Sequence, residues 1–216
     1  MPKLKVKFQR SQSRRPSAPV RLPFPATAKL RVAQLSPGPR FESVAPFTPE
    51  RWLELEAYRP CVLIGDASDL QRLFEQVQLG MFDLACVDRA IVVLTRYRAA
   101  PLRDISRVTL WQGFGVPIFE LYLGPDNSVL AAECNAHEGW HLQPGAHCSH
   151  HNGELILDSP GNYGLCTGLA ATIDDSACPC GQTTSRLMNV EAISRLAYPR
   201  KIPASAASQR RLAASA

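Results

Sequence analysis

The chain has 216 residues, 45% of them hydrophobic and 20% charged, which suffices for one ordinary domain with its own core. Its net charge of +5 hides a partition: residues 1–40 hold ten Lys/Arg and no acid, residues 195–216 hold five and no acid, and residues 41–194 hold nine bases against nineteen acids. No apolar run reaches the length of a membrane span, and seven cysteines, an odd number with no secretory signal ahead of them, exclude a disulfide framework and point to reduced thiols in the cytoplasm.

Residues 1–40 are rich in Pro and Ser and carry only short apolar clusters such as Val20-Arg21-Leu22-Pro23-Phe24. Such a composition buries too little to offset the entropy of ordering, so this stretch reads as a disordered basic arm, and residues 197–216 as a disordered basic tail. A single domain is expected over 41–196.

Thr48-Pro49-Glu50 places a hydroxyl cap, a proline at the first helical position and an early acid at the start of a helix reaching Tyr58, before Pro60. Cys61-Val62-Leu63-Ile64-Gly65 is a continuous apolar run, the pattern of a strand buried on both faces. A helix from Asp69 to Leu79 follows, with Leu70, Leu73, Phe74 and Val77 inward and Gly80 at its end. Ile91-Val92-Val93-Leu94 gives a second buried strand, Leu102 to Gln112 a helix with Leu102, Ile105, Val108 and Leu110 inward, and Val116 to Tyr122 a third strand. Alternating strand and helix imply a short parallel sheet with crossover helices. Beyond Gly124 the segments 130–134, 140–142, 154–157, 169–173 and 186–191 are short strands between turn residues, an antiparallel β half. The fold class is therefore α/β.

The antiparallel half carries the soft ligands. Cys134 and His141 are followed more than thirty residues later by Cys178-Pro179-Cys180-Gly181, a Cys3His set of the kind that closes a tetrahedral structural zinc site. Such a site has no open coordination position, so it would staple loops and not attack a substrate. The pattern also suits buried apolar cysteines beside a hydrogen-bonded histidine, and spacing alone leaves both open. His137, His147, Cys148, His150 and His151 crowd the same stretch as alternative donors. Cys148 between histidines also invites a thiol-nucleophile reading, but neighbours in one loop rarely reach base-to-nucleophile geometry.

Five ordered motifs carry a resemblance. They are Leu63-Ile64-Gly65-Asp66-Ala67-Ser68; Phe114-Gly115-Val116-Pro117-Ile118-Phe119-Glu120-Leu121-Tyr122; Ala131-Ala132-Glu133-Cys134 with Glu138-Gly139-Trp140-His141; Gly153-Glu154-Leu155-Ile156-Leu157; and Cys178-Pro179-Cys180-Gly181 with Ser185-Arg186-Leu187. Over roughly residues 59–196 the chain resembles the phenylacetate-CoA ligase branch of the adenylate-forming enzymes, and specifically the second half of their large N-terminal domain. The resemblance implies a structural zinc on Cys134, His141, Cys178 and Cys180. It implies, for an active relative, ATP and magnesium as cofactors, an acyl adenylate intermediate and coenzyme A as acceptor.

The parts which that reaction needs are eroded. Residues 1–58 contain no Ser/Thr/Gly-rich phosphate loop. The family's Tyr-Gly-x-Thr-Glu aligns with Tyr122-Leu123-Gly124-Pro125-Asp126, so Tyr122 and Asp126 are the remaining nucleotide-binding candidates. The family's ribose-gripping Thr-Gly-Asp aligns with Thr167-Gly168-Leu169, and leucine accepts no hydrogen bond. The lysine-bearing C-terminal domain has no counterpart before residue 216. The resulting expectation is a zinc-stabilised non-catalytic scaffold or binding protein, with a carboxylate, a nucleotide or a partner protein as its ligand. The alternatives are a carboxylate-CoA ligase active alone or with a partner subunit, and a binder of anionic surfaces or nucleic acid through the basic ends. Nucleic acid is disfavoured because those ends lack interleaved aromatics.

Overall fold

The computed structural model describes residues 20–24 and 30–193. In chain order its elements are β1 (Val32–Gln34), β2 (Val44–Pro46), a 3-10 turn (Pro49–Arg51), α1 (Leu53–Tyr58), β3 (Val62–Gly65), α2 (Ala67–Gln78), β4 (Ala90–Thr95), α3 (Asp104–Phe114), β5 (Ile118–Leu123), β6 (Val129–Glu133), β7 (Trp140–Leu142), β8 (His147–His151), β9 (Glu154–Ser159), β10 (Asn162–Cys166), β11 (Leu169–Asp174) and β12 (Arg186–Ala192). The described residues form one nine-stranded sheet, β11-β12-β7-β6-β5-β4-β3-β1-β2, and one three-stranded sheet, β10-β9-β8.

The parallel half and the antiparallel half are one continuous sheet. β1 to β5 pair in parallel, and the direction reverses at the β5–β6 hairpin, where Leu121 opposes Ala132. From β6 outward every pairing is antiparallel. Ile91, Val93 and Ile118 turn one face of this sheet toward Leu55, Leu70, Leu73 and Leu110 of the three helices. Val92, Leu94, Phe119 and Leu121 form the opposite apolar face. β3 and β4, buried at every position, run apolar without alternation, and β5 does so except at Glu120.

Three expectations need correction. Residues 32–34, assigned to the disordered arm, are an internal strand between β2 and β3, and the ordered body therefore begins before residue 41. Val20, Leu22 and Phe24 pack on the second sheet face, with the Phe24 ring 5.2 Å from Phe119. These short apolar clusters gain their burial from a face built by distant strands, which local composition does not register. The remainder of the arm (1–19, 25–29) and the tail 197–216 lie outside the described residues.

The second correction concerns α3, where Ile105 and Val108 are 66% and 45% exposed and Leu110 is the buried residue. The helix starts at Asp104, and its inward stripe is Arg107, Leu110 and Phe114. Arg107 faces the sheet because buried acids await it there, so apolar periodicity misplaced the face. The third concerns residues 48–58, which form a 3-10 turn and then α1 in place of one helix. Thr48 makes no side-chain cap, and Arg59 ends α1 in the left-handed region, its N–H bonded to Leu55 O.

No helix among the described residues is long and apolar enough to cross a membrane. The structure also contains three elements that the sequence reading left unassigned, β2, β8 and β10.

Candidate metal centre and the crevice at the strand ends

Hairpin pairing and one loop assemble the four soft ligands. Cys134 directly follows β6, and His141 sits on β7 opposite Ala132. Cys178 and Cys180 lie in the loop joining β11 to β12, and β12 pairs with β7 at Arg186 opposite His141. The ligand atoms of Cys134, His141, Cys178 and Cys180 all fall within 4.8 Å of one another.

Two edges of the cluster match those of a zinc tetrahedron. Zinc bonds of about 2.3 Å to sulfur and about 2.0 to 2.1 Å to nitrogen imply S···S and S···N edges of about 3.8 and 3.6 Å. Cys134 Sγ lies 3.7 Å from Cys178 Sγ, and Cys180 Sγ lies 3.4 Å from His141 Nε2. The histidine is also oriented for ligation: Nδ1 is 3.1 Å from Thr184 O, so Nδ1–H donates there and the Nε2 lone pair faces the thiols. A backbone acceptor fixing the distal nitrogen is the usual support of a metal-bound imidazole.

The surrounding backbone is shaped for this cluster. Gly181 N–H donates to Cys178 O at 2.9 Å, and Gln182 N–H donates to Cys180 Sγ at 3.4 Å, which turns both thiols inward. Gly139, at φ +84°, lets the β6–β7 turn press on β12, since a Cβ there would lie 2.6 Å from Leu187 O. Arg186 ties the turn to the ligand loop, donating to Glu138 Oε2 at 2.9 Å, to Asp174 and to Ser176 Oγ.

Without a cation two of the thiols differ sharply in acidity. Burial opposes ionisation of Cys178, but hydrogen bonds from the Cys180 backbone and the other two thiols override it and bring Cys178 down to about 6. At Cys180, burial and the Cys178 and Cys134 thiols outweigh the Gln182 N–H and push it up to about 11. Like charges at this distance cannot all form, and a dication is what permits three thiolates together. The donor set and its geometry fit zinc.

The alternative donors stand elsewhere. His137 Nδ1 is 3.0 Å from Glu133 Oε1, and its ring stacks on Phe119. His147, Cys148, His150 and His151 lie on β8 in the small sheet, where His150 Nε2 bonds Ala171 O at 2.8 Å. Burial raises the Cys148 thiol above its ordinary range, contrary to what a nucleophile needs. Thr184 supports the centre without having been singled out from sequence, and Glu138 and Arg186, which stand in the quoted motifs, support it in a role those motifs did not specify. Their polarity offers no signal until β12 is seen beside β7.

A second region lies at the carboxyl ends of β3, β4 and β5, where open α/β sheets usually bind ligands. Here Arg96 bridges the ends of these strands. Its guanidinium donates to Asp66 Oδ1 at 2.8 Å and Oδ2 at 3.0 Å, to Asn127 Oδ1 at 2.9 Å, and to Pro37 O. Tyr97 and Arg98 donate to Cys166 O at 2.9 and 3.2 Å, tying the same end to β10.

The nucleotide candidates are likewise engaged internally. Tyr122 is fully buried, its hydroxyl accepts from Arg98 N–H at 3.3 Å and reaches Thr167 O at 3.5 Å, and burial pushes it up to about 12. Asp126 accepts from Ser128 N and Oγ at 3.1 and 2.6 Å and from Asn162 Nδ2 at 3.3 Å. Burial works against its charge, but these bonds prevail and lower it. Thr167 Oγ1 donates to Leu155 O and accepts from Leu169 N–H, and Leu169 itself is 1% exposed in the core under the small sheet.

No family model matches the sequence, and no curated protein matches it. Solved structures do. 2-Hydroxyisobutyryl-CoA ligase, in its postadenylation state with R3-HIB-AMP, superposes with TM-score 0.61 at 10% identity, covering 76% of this chain and 44% of the ligase. The open conformation of that ligase, in complex with 2-HIB-AMP and CoA, gives TM-score 0.60 at 12% identity over 76% and 45%. The amide bond synthetase McbA from Marinactinospora thermotolerans gives 0.49 at 16% identity over 73% and 40%. The chain thus spans less than half the length of the ligase it matches, and what it shares with that adenylate-forming enzyme is the fold.

Proposed function

We propose that this chain is a zinc-stabilised, non-catalytic scaffold on the adenylate-forming fold, with zinc held by Cys134, His141, Cys178 and Cys180. The observation carrying this reading is the Arg96–Asp66–Asn127 bridge across the strand ends, which engages the protein's own polar groups at the end of the sheet where open α/β folds bind ligands. Leu169 supports it: a buried alkyl group stands where a ribose hydroxyl would require a carboxylate. The five ordered motifs favour the phenylacetate-CoA ligase branch as its origin. Calorimetric titration with MgATP and an aryl acid, paired with a pyrophosphate-release assay, tests the proposal. Flat heats and background release are expected, and saturable ATP binding with pyrophosphate release would overturn it.

A second reading is an ATP-dependent carboxylate-CoA ligase, active alone or with a partner protein. It is favoured by the shared fold with a ligase crystallised with its acyl adenylate and CoA, and by Tyr122 at the aligned aromatic position. In that case Tyr122 and Asp126 contact the nucleotide, and magnesium accompanies ATP.

A further inference from the structure

Beside α3 the sheet face is left open. A cleft of about 890 Å³ runs between α3 and the strands β5, β6, β7 and β12, within the size range of small-molecule sites. None of the four Cys/His ligands lines it, nor do Arg96 and Asp66 of the strand ends. Trp111, Val108, Trp140 and Leu187 form apolar walls, and Trp111 is 57% exposed on the helix side. Its floor is charged: Glu120 of β5 and Glu133 of β6 are buried, and Asp104 stands at the helix end.

The cations available do not balance these acids. Arg107 spends one terminal nitrogen on Ile118 O at 2.8 Å and Glu133 Oε2 at 3.1 Å, and the other on Glu133 Oε2 at 3.1 Å. What is left for Glu120 Oε2 is a contact of 3.5 Å, the limit of a hydrogen bond. Glu120 Oε1 is served by the Thr95 hydroxyl and by Leu102 N–H at 2.8 Å. His137 is already committed to Glu133 Oε1. So Glu120, 2% exposed, has a carboxylate oxygen whose one recorded partner, Arg107, stands at 3.5 Å and is shared with Glu133, in a cleft where acidic groups outnumber guanidinium groups.

We propose that this cleft binds an organic cation, an ammonium group on an apolar body of about one aromatic ring. The ammonium supplies Glu120 Oε2 with a closer donor than the shared Arg107 contact at 3.5 Å and offsets the surplus acid, while the two indoles receive the ring and attract the cation. Anionic ligands are disfavoured because the one guanidinium at the floor is consumed. Consistently, burial holds the empty Glu120 carboxyl above its ordinary range despite the bonds from Thr95, Leu102 and Arg107.

The test is a titration of the full chain with phenethylamine, and separately with its neutral isostere 2-phenylethanol, read by the indole N–H resonances in NMR. Saturable shifts of Trp111 and Trp140 but not of Trp52 are expected, with the amine bound at least tenfold more tightly than the alcohol. Trp111→Ala, on the exposed helix side and therefore compatible with folding, should weaken amine binding roughly fivefold, and Glu120→Gln should erase the preference over the alcohol. Absence of saturable shifts, equal affinity for both probes, or an unchanged affinity in Trp111→Ala would overturn the proposal.

Discussion

Replacing Cys178 by Ser should separate the zinc contribution from the rest of the fold. Cys134 and Cys178 are 44 residues apart in sequence and 3.7 Å apart at sulfur, so a shared metal closes a long loop. Treated as a cross-link, closing a loop of that length restricts the unfolded chain by about 4 kcal/mol at 25 °C. For a chain of this size each kcal/mol moves the melting temperature by about 2 to 4 °C, which gives a fall of about 8 to 16 °C. The assay is thermal unfolding followed by near-ultraviolet circular dichroism, with zinc measured in the same samples by elemental analysis. The wild type should carry one zinc per chain, and Cys178→Ser should lose it. Exhaustive chelation of the wild type should lower the midpoint by the same amount and add nothing further in the variant, because both remove one cross-link. Cys148→Ser, on β8 outside the cluster, is the control and should keep its zinc. A wild type that contains no metal, or a chelated sample that melts at an unchanged temperature, would refute the cross-link.

Restoring a carboxylate at the aligned ribose position should not restore function. Leu169→Asp places an acid at a core site and should destabilise by roughly 4 kcal/mol or more, visible as a large loss in the urea midpoint, whereas a variant as stable as the wild type would contradict the buried position of this strand. A pH series on Glu120→Gln tests the buried acid. Glu120 is raised above the carboxyl's ordinary value of 4.5, chiefly by burial and also by Glu133, and against Thr95, Leu102 and Arg107. The folded state therefore binds its proton more tightly than the unfolded state. The stability that Glu120 adds is fully present below about pH 4.5 and is lost as pH rises through the folded-state value. The difference in melting temperature between wild type and Glu120→Gln should accordingly move in favour of the variant as pH rises from 4 to 7, and a pH-independent difference would count against the shift.

Patterns local to a few residues were legible directly. Apolar runs, uninterrupted in β3 and β4 and broken only by Glu120 in β5, announced these strands, because a strand covered on both faces has no polar side to alternate with. The change to short strands after Gly124 announced the antiparallel half, and residue type marked the Cys and His chemistry of that half without fixing which of those side chains meet. What the chain could not declare one-dimensionally was anything set by contacts across long separations. Val32–Gln34 becomes an internal strand because Val62–Ile64 and Val44–Pro46 supply its hydrogen bonds, although its own neighbourhood is polar and proline-rich. Arg107 turns inward because Glu120 and Glu133, from two other strands, meet beneath α3. His141 was separated from four other histidines by Thr184, 43 residues away, which fixes its tautomer. Residue identity determined which chemistry was available, and tertiary proximity decided which groups share a site, because charge pairing and metal geometry depend on distances that sequence spacing does not encode.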